Sequence, residues 1–416
     1  MKLHLNIIAA LMTIFTMASC ADDNDVELRS NEADHTLVFY ILADNNLASY
    51  MLDNVIAAES GVEQGIPPTS RMVVYLDKAD TTLLYEIGYM PYGSENYIKY
   101  SKPIKGYPRQ NSNTPTVMRK VLDDVQQLVP SRSYSLVLSA HGTGWFPKSM
   151  KETSIINQRA PGLRDEYDFS ASDDAKLTRA WGYDGGNMSD EAGWMSGEEL
   201  AEGLSGISLD CLIFDACFMS SIELLYDLRS SARYIIASPT EVMASGFPYK
   251  VIVPMILGIN PDLPEVAKAI VDTYRNTSFG GEHSSSIALV DCSEIEALAA
   301  SVRAICLSDS KLNVSKSSIQ PMESMSRHAF YDLKGYFAAM TDDAGLTADF
   351  ERAFANAVAW HDNTDKVYSA YNGYITSVGE ELAIEGINCY IPSDNTPVTN
   401  SFWRQTSWAK AISMGD

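Results

Sequence analysis

Two reactive side chains follow short apolar segments in this sequence of 416 residues. His141 comes soon after Tyr134–Ser139, and Cys217 comes soon after residues 210–214. Both segments are short, apolar and rich in residues that favour buried strands. A thiol attacks a carbonyl carbon after losing its proton, and a neighbouring imidazole can pass a proton to the leaving amine. The pair therefore suits nucleophilic catalysis on an acyl group.

Strand ends are where such groups can meet, because functional groups in open α/β sheets gather at the carboxyl ends of strands. We expect the backbone N–H groups of Gly142 and Cys217 to bind an oxyanion, since glycine lets a backbone come close to a ligand. A helix predicted from residue 220 would place its positive end near the thiol and lower the pKa of Cys217. Each feature alone has a plainer interpretation: a buried structural cysteine and a His-Gly turn.

The elements that must position these residues alternate along the chain from residue 36 to about residue 307. Strands are predicted at 36–42, 71–76, 82–89, 134–139, 210–214, 234–237 and 285–290, and helices at 47–60, 115–128, 196–203, 220–228, 262–274 and 293–307. This alternation predicts a mostly parallel sheet with helices on both faces. The remaining chain reads as more helical, with an apolar strand at residues 386–391.

Composition limits the classes of protein that the chain can belong to. The formal net charge is −23 and 46% of residues are apolar. Such an acidic protein is a poor partner for nucleic acid, because phosphate binding needs clustered Lys and Arg. Basic substrates remain compatible with this charge, although an acidic surface for solubility is the simpler interpretation. No segment after the N-terminus has the apolar length of a membrane span.

The N-terminus predicts export. Residues 1–19 have the charge and apolar length of a signal peptide, and Cys20 follows small residues as in a bacterial lipobox. We therefore expect Cys20 to be lipidated, residues 20–35 to form an acidic tether, and the protein to be an outer-membrane or cell-surface lipoprotein. The alternative is an ordinary secretory signal with a chance cysteine. Lipidation would leave five of the six cysteines, so at least one thiol must be free.

Two motifs resemble the catalytic motifs of the clostripain-like cysteine peptidases, relatives of caspases, legumains and gingipains. They are Ser-Ala-His-Gly-Thr-Gly-Trp at 139–145 and Phe-Asp-Ala-Cys-Phe-Met at 214–219. Further similar stretches lie at 40–47, 195–204, 237–249, 331–333 and 386–392. The resemblance implies a caspase-like three-layer α/β/α sandwich over residues 36–310, with an α+β extension, 311–416, packed on the core. It also implies that His141 and Cys217 form a catalytic dyad.

The resemblance further implies cleavage after Arg or Lys, because relatives bind the basic side chain with acidic groups. Asp215 matches one such acid, and capping the turn before the next helix is its equally plausible alternative role. The family pattern places Pro-Gly and an acid near residues 243–245, which here are Met-Ala-Ser. Glu241 is the nearest acid to that position and is our second candidate for substrate binding.

Residues 146–194 lack any helical or strand period and are predicted to be a mobile activation loop. Relatives are zymogens cut after the catalytic His, and basic residues here offer sites for self-cleavage: Lys148, Lys151, Arg159, Arg164, Lys176 and Arg179. We expect no cofactor and no metal. Calcium is needed by some relatives, and oxygen ligands could come from Asp165, Glu166, Asp168, Asp173, Asp174, Asp184 and Asp190. Their spacing is not that of a calcium loop, which favours a solvated acidic segment.

The sequence thus predicts an exported, monomeric cysteine endopeptidase with peptide or protein substrates. Two alternatives remain open: a catalytically silent binding lipoprotein on the same scaffold, and a transpeptidase or amidase using the same nucleophile. Retention of both His141 and Cys217 argues against the silent protein, since a binding module needs neither.

Overall fold

A computed structural model describes residues 32–92, 96–145, 181–183, 194–277, 283–309, 311–325, 328–370, 373–394 and 396–415. Residues Ala33–Asp416 form one compact unit. The strands are β1 His35–Leu42, β2 Ser70–Asp77, β3 Thr82–Tyr92, β4 Asn96–Tyr107, β5 Tyr134–Ser139, β6 Leu209–Asp215, β7 Ala232–Ala237, β8 Ser286–Asp291, β9 Tyr331–Asp332, β10 Val358–Asn363, β11 Tyr368–Ser369, β12 Gly373–Tyr374 and β13 Asn388–Cys389. The helices are α1 Ala48–Glu63, α2 Pro115–Leu128, α3 Gly197–Leu204, α4 Ile222–Leu228, α5 Tyr249–Ile256, α6 Leu263–Asn276, α7 Ile295–Leu307, α8 Leu333–Ala339, α9 Ala344–Ala357, α10 Pro397–Arg404 and α11 Ser407–Ala411.

A nine-stranded sheet forms the centre, in the order β10-β8-β7-β6-β5-β1-β2-β3-β4. Strands β7, β6, β5, β1 and β2 are mutually parallel, while β3 and β4 at one edge and β8 and β10 at the other pair antiparallel. Two groups of helices, α1-α5-α6 and α2-α3-α4-α7, pack among themselves and flank the sheet. The predicted three-layer α/β/α sandwich with a mostly parallel central sheet is confirmed.

Local signals in the sequence explain where several elements begin. The Thr114 side chain accepts a hydrogen bond from the Val117 N–H and caps α2, with Pro115 at its first position. Ser196 and Glu199 form the predicted capping box of α3. Every residue of β1 is buried, as its continuous apolar pattern predicts for a strand covered on both faces.

Strands β4 and β10 and helix α5 were absent from the sequence prediction. The strand β4 carries three Lys residues and one Pro along its length, and β10 reads Val-Ala-Trp-His-Asp-Asn. Such polar strands are tolerated at sheet edges, where one side of the backbone has no neighbouring strand. Helix α5 contains Pro254, and the sequence did not predict this helix because an internal proline usually ends one. Conversely, the strand predicted at 386–391 pairs only over Asn388–Cys389.

The chain after residue 310 is tied to the sheet and to the loop that follows β6. The strand β10 pairs with β8, and the Asn388 N–H donates to the Ser220 carbonyl at 2.9 Å. The Ser220 hydroxyl also donates to the Gly386 carbonyl at 2.6 Å. The boundary drawn at residue 310 stays a prediction, but this part of the chain reaches the neighbourhood of Cys217.

Several predictions fall outside the described residues. They concern the signal peptide, the Cys20 lipidation site, nearly all of the tether, and residues 146–180 and 184–193 of the predicted activation loop. Among the residues that the structure does describe, no helix combines the length and apolarity needed to cross a bilayer. The five described cysteines all carry free thiols: Cys211, Cys217, Cys292, Cys306 and Cys389.

Candidate active site

The ends of two adjacent parallel strands create the site. In the pairing of β5 with β6, Ser139 lies opposite Asp215. The chain continues for two residues beyond each of them, and His141 and Cys217 therefore emerge at the same edge of the sheet. Both side chains line one pocket with an empty volume of about 360 Å³, part of which is open to solvent. The structure thus brings together the imidazole and the thiol that the sequence analysis paired.

Gly142 makes this close approach of the two loops possible. A Cβ atom at this position would lie 2.5 Å from the Cys217 carbonyl oxygen and 2.9 Å from both the Ala216 Cβ and the Met219 Sδ. Contacts this short are not tolerated, so the position requires glycine. The two backbones are therefore neighbours, as the predicted oxyanion site needs. The oxyanion role of the Gly142 and Cys217 N–H groups stays a prediction.

Asn46 is a partner of His141 that the sequence analysis missed. Its Oδ1 lies 2.7 Å from Nε2 of His141. Because an amide oxygen only accepts, the imidazole donates from Nε2, and its Nδ1 then carries the lone pair that can take a proton. The available signal was positional: Asn46 follows β1, which is parallel to β5 and ends at the same edge of the sheet.

Residues from the later part of the predicted activation loop, at 181–183 and at 194, lie next to His141. The Gly182 N–H donates to the His141 carbonyl at 2.9 Å, and Trp181 and Met195 exchange backbone hydrogen bonds of 3.1 and 3.2 Å. The ring of Trp194 lies 6.3 Å from the imidazole, between ring centroids. The Gly182 hydrogen bond therefore helps to hold the backbone of His141 in place.

The protonation of the two reactive groups differs from the sequence prediction. Burial, together with the smaller effect of the nearby Glu241 carboxylate, raises the pKa of the Cys217 thiol to about 12. Desolvation lowers the pKa of His141 to about 4, although its side chain is only half-buried. The expected lowering of the thiol pKa is therefore wrong for this state of the protein. The physical reason is that α4 begins at Ile222, too far along the chain for its dipole to outweigh the loss of water.

The backbone around the nucleophile is unusual. Phe218, the next residue, has a φ of 59°, in the left-handed region that costs a bulky residue about 1–3 kcal/mol. Its N–H donates to the Thr240 carbonyl at 2.8 Å. The Val242 N–H lies 3.3 Å from Cys217 Sγ and can donate to it. The loop after β7 thus holds both the sulfur and the residue that follows it.

Asp215 forms part of the same pocket wall as Cys217. Its Oδ2 accepts a hydrogen bond from the Tyr249 hydroxyl at 2.7 Å and weaker ones from Asn54 and Ser139 at 3.4 Å. Burial raises the pKa of Asp215 to about 6, against the opposing effect of the Tyr249 hydrogen bond. The carboxyl is therefore mostly ionised at neutral pH, and no cation neutralises it among the described hydrogen-bond partners.

Glu241 lies in a different place. Its carboxylate accepts a hydrogen bond from the Ala370 N–H at 3.0 Å and another from the Ser369 side chain. Burial raises the pKa of Glu241 to about 7. The residue lines a separate small cavity with Tyr274 and residues 284–286, while the pocket of Cys217 is lined by the following residues, Val242 and Met243. The structure thus separates the two acids that the sequence analysis grouped, and the substrate role of Glu241 stays a prediction.

Metal binding has no support in the described part of the chain. Within those ranges, no group of three or more His, Cys, Asp or Glu side chains is placed to hold an ion. The acidic residues considered for calcium, from Asp165 to Asp190, all lie outside these ranges.

Comparison with known proteins places the chain among cysteine peptidases. The profile described as the clostripain family matches residues 165–411, a range that includes Cys217 and begins after His141. Clostripain from Hathewaya histolytica is 24% identical over 240 residues, and this match covers 51% of the present chain but only 40% of clostripain. Similar solved structures include an inactive zymogen C11 protease from Parabacteroides distasonis, with 26% identity, a TM-score of 0.74, and coverage of 92% of this chain and 99% of that one.

A second solved structure carries information on ligands. It is a secreted C11 cysteine protease from Bacteroides thetaiotaomicron in complex with an irreversible peptide inhibitor, with 26% identity, a TM-score of 0.73, and coverage of 91% of this chain and 99% of that one. The fold, the paired thiol and imidazole, and these relatives define a cysteine-type peptidase. The chain belongs to the clostripain family, whose profile matches more than half of its length.

Proposed function

We propose that this protein is an exported cysteine endopeptidase that cleaves peptide bonds after Arg or Lys. The observation that carries the proposal is the pocket shared by His141, Cys217 and the buried carboxylate of Asp215. A nucleophile, its proton acceptor and a negative charge for the substrate side chain lie together there. The inhibitor-bound relative supports peptides as the substrate class.

The reaction begins with both reactive groups neutral. Asn46 holds the imidazole so that Nδ1 can accept the proton of the Cys217 thiol as the sulfur attacks the substrate carbonyl. The oxyanion is stabilised by the N–H groups of Gly142 and Cys217. The imidazolium then donates its proton to the leaving amine, and a thioester remains on Cys217. Water attacks this thioester with His141 as the base, which releases the acid and restores the thiol.

Specificity follows from the chemistry of Asp215. An ionised carboxylate in a pocket of low dielectric attracts a guanidinium or ammonium group strongly, because little water screens the two charges. The Tyr249 and Asn54 hydrogen bonds hold the carboxylate in one orientation. Its position next to Ala216 and Cys217 suits the side chain of the residue whose carbonyl is attacked.

Export, anchoring and activation complete the proposal. A signal peptide at residues 1–19 and lipidation at Cys20 would attach a monomeric peptidase to the outer membrane or cell surface through the acidic tether. Cleavage after a basic residue within 146–194 would activate it, in line with the zymogen form of one relative. Calcium is a candidate activator, tested by assays with and without a chelator.

The proposed activity is tested with a peptide library. Residues 26–416 and the Cys217→Ala variant are incubated with peptides that vary at the cleaved position, with calcium and with chelator. Cleavage after Arg or Lys by the wild type alone is expected. Products in which the acyl group has moved to an added amine would instead indicate a transpeptidase, and no reaction with any peptide would favour the silent binding lipoprotein.

A further inference from the structure

Cys217 is followed by a residue whose conformation must be imposed from outside. Phe218 has a positive φ, which a phenylalanine does not adopt without support, and its side chain is buried. The ring of Phe218 stacks on the ring of Phe330, with centroids 4.4 Å apart and planes inclined by 5°. Phe330 lies in the C-terminal part of the chain, more than a hundred residues beyond the nucleophile.

Phe330 also touches the loop of the proposed base. A Cβ atom at Gly144 would lie 3.0 Å from Cε1 of Phe330 and 3.0 Å from the Phe218 carbonyl oxygen. Gly144 is three residues after His141 and has a φ of 67°. One fully buried ring therefore contacts the residue after the nucleophile and the glycine turn after the base.

A buried carboxylate fixes Phe330 in turn. Oε1 of Glu323 accepts hydrogen bonds from the N–H groups of Ala329 and Phe330 at 2.7 and 3.2 Å. Its Oε2 accepts from the Met325 N–H at 3.0 Å and lies 2.6 Å from Nδ1 of His328. Glu323 is fully buried, and a buried carboxylate is tolerated only when its oxygens are hydrogen-bonded in this way.

The backbone of Phe330 is held on its other side as well. Its carbonyl accepts a hydrogen bond from the Met322 N–H at 2.9 Å, and the Asp332 N–H donates to the Gln320 carbonyl at 2.9 Å. The described residues on both sides of Phe330 are thus hydrogen-bonded to Glu323 and to residues 320–322. These hydrogen bonds give the ring little freedom to move away from Phe218.

We infer that Phe330 is a positioning residue for the catalytic loops and that Glu323 orders the backbone that presents it. The inference rests on the proposed roles of Cys217 and His141. Phe330 touches neither the substrate nor the reacting atoms. It acts through Phe218, which sets the direction of the Cys217 backbone N–H and Sγ, and through Gly144, which limits the position of the His141 loop. The C-terminal part of the chain is therefore required for turnover.

The test compares two matched substitutions, Phe330→Leu and Phe337→Leu. Phe337 is a buried phenylalanine in the same part of the chain, and its ring packs near Tyr336, Phe350 and Trp408, away from the site. Both variants lose the same atoms, so both should lower Tm. Phe330→Leu is expected to lower kcat at least about tenfold with KM within about twofold, while Phe337→Leu leaves kcat within about twofold at a temperature where both are folded.

The rate at which a peptidyl inhibitor modifies Cys217 gives a second measurement. We expect this rate to fall with Phe330→Leu in parallel with kcat, and to be partly restored by Phe330→Tyr, which keeps the stacked ring. Equal effects of the two Leu substitutions on kcat and on the inhibitor rate would overturn the inference.

If Phe330→Leu does not fold, Glu323→Gln is compared with the wild type instead, and unchanged kcat in that variant would overturn the role of Glu323. An inactive wild type would contradict the proposed function, whereas an active wild type with equal variants contradicts only this inference.

Discussion

The surroundings of Asp215 and Glu241 differ, although both are acids near Cys217 whose pKa values are raised by burial. Asp215 lines the pocket of the nucleophile and is held by side-chain donors, chiefly Tyr249. Glu241 faces away from that pocket and is tied to the backbone of Ala370. Glu241 directly precedes Val242 and Met243, which line the pocket of Cys217, yet Glu241 itself lines another cavity, because neighbouring residues on a loop can face opposite sides. We propose that Asp215 recognises the substrate and that Glu241 attaches the loop to Ala370, in place of the substrate role that the sequence predicts for Glu241.

Removal of the Asp215 charge should have the largest effect. Asp215→Asn is expected to lower kcat/KM for peptides with Arg or Lys at the cleaved position by about 100-fold, since a buried charge pair is lost and each tenfold corresponds to about 1.4 kcal/mol. Cleavage rates measured with Arg and norleucine peptides check this. Glu241→Gln should change kcat/KM for the Arg and Lys peptides by less than about threefold. Asp227→Asn is the matched control, since burial also raises the pKa of Asp227 to about 6 but in helix α4. Equal losses in the Asp215 and Glu241 variants would remove the distinction between the two acids.

Stability should fall as pH rises from 5 to 8. The pKa values of Asp215 and Glu241 are higher in the folded than in the unfolded chain, so the folded state binds more protons in this range and its advantage is lost as the groups ionise. Each group contributes on the order of 1–2 kcal/mol to this loss, which calorimetry should register as a Tm lower by a few degrees. Both Asp215→Asn and Glu241→Gln should flatten the dependence, and the latter should do so more because its pKa is higher. A Tm that rises over this range would be inconsistent with ionised carboxyls at these buried positions.

The pH dependence of catalysis should separate the two acids. Protonation of Asp215 below pH about 6 removes its attraction for a basic substrate, so kcat/KM for Arg peptides should fall about tenfold by pH 5. The pKa of His141, about 4, lies too low to produce this change. The fall of kcat/KM below pH about 6 should persist in Glu241→Gln and should be absent in Asp215→Asn. If this fall instead disappears in Glu241→Gln, Glu241 and not Asp215 would be the acid that binds the basic substrate.

The smallest expected effect concerns the thiol itself. The Glu241 carboxylate raises the pKa of Cys217, so Glu241→Gln should lower that pKa and speed alkylation by iodoacetamide about two- to threefold at pH 8. The effect should shrink at pH 6, where Glu241 is mostly protonated. Mass spectrometry of the alkylated protein over time measures it. A slower reaction in the variant would mean that Glu241 acts on the sulfur through the position of Val242 and not through its charge.

Part of the fold and of the site was predictable from the sequence. Residue order along β5 and β6 was sufficient to place His141 beside Cys217, because parallel strands end at the same edge of a sheet. The edge strands β4 and β10 were missed, since polar edge strands lack an apolar period. The roles of Asn46 and Phe330 depend on contacts between distant parts of the chain, which no local pattern reports. The pKa values of Cys217 and His141 depend on burial, so proximity to a helix gave the wrong direction for the thiol.

Covalent labelling tests the proposed nucleophile most directly. The wild type is treated with an irreversible peptide inhibitor ending in Lys, and the modified residue is located by mass spectrometry in the folded protein. We predict one label on Cys217 and none on Cys211, Cys292, Cys306 or Cys389, which are buried, with labelling slowed by Asp215→Asn and abolished by Cys217→Ala. A label on another cysteine, or labelling that persists in Cys217→Ala, would contradict the assignment of Cys217 as the nucleophile.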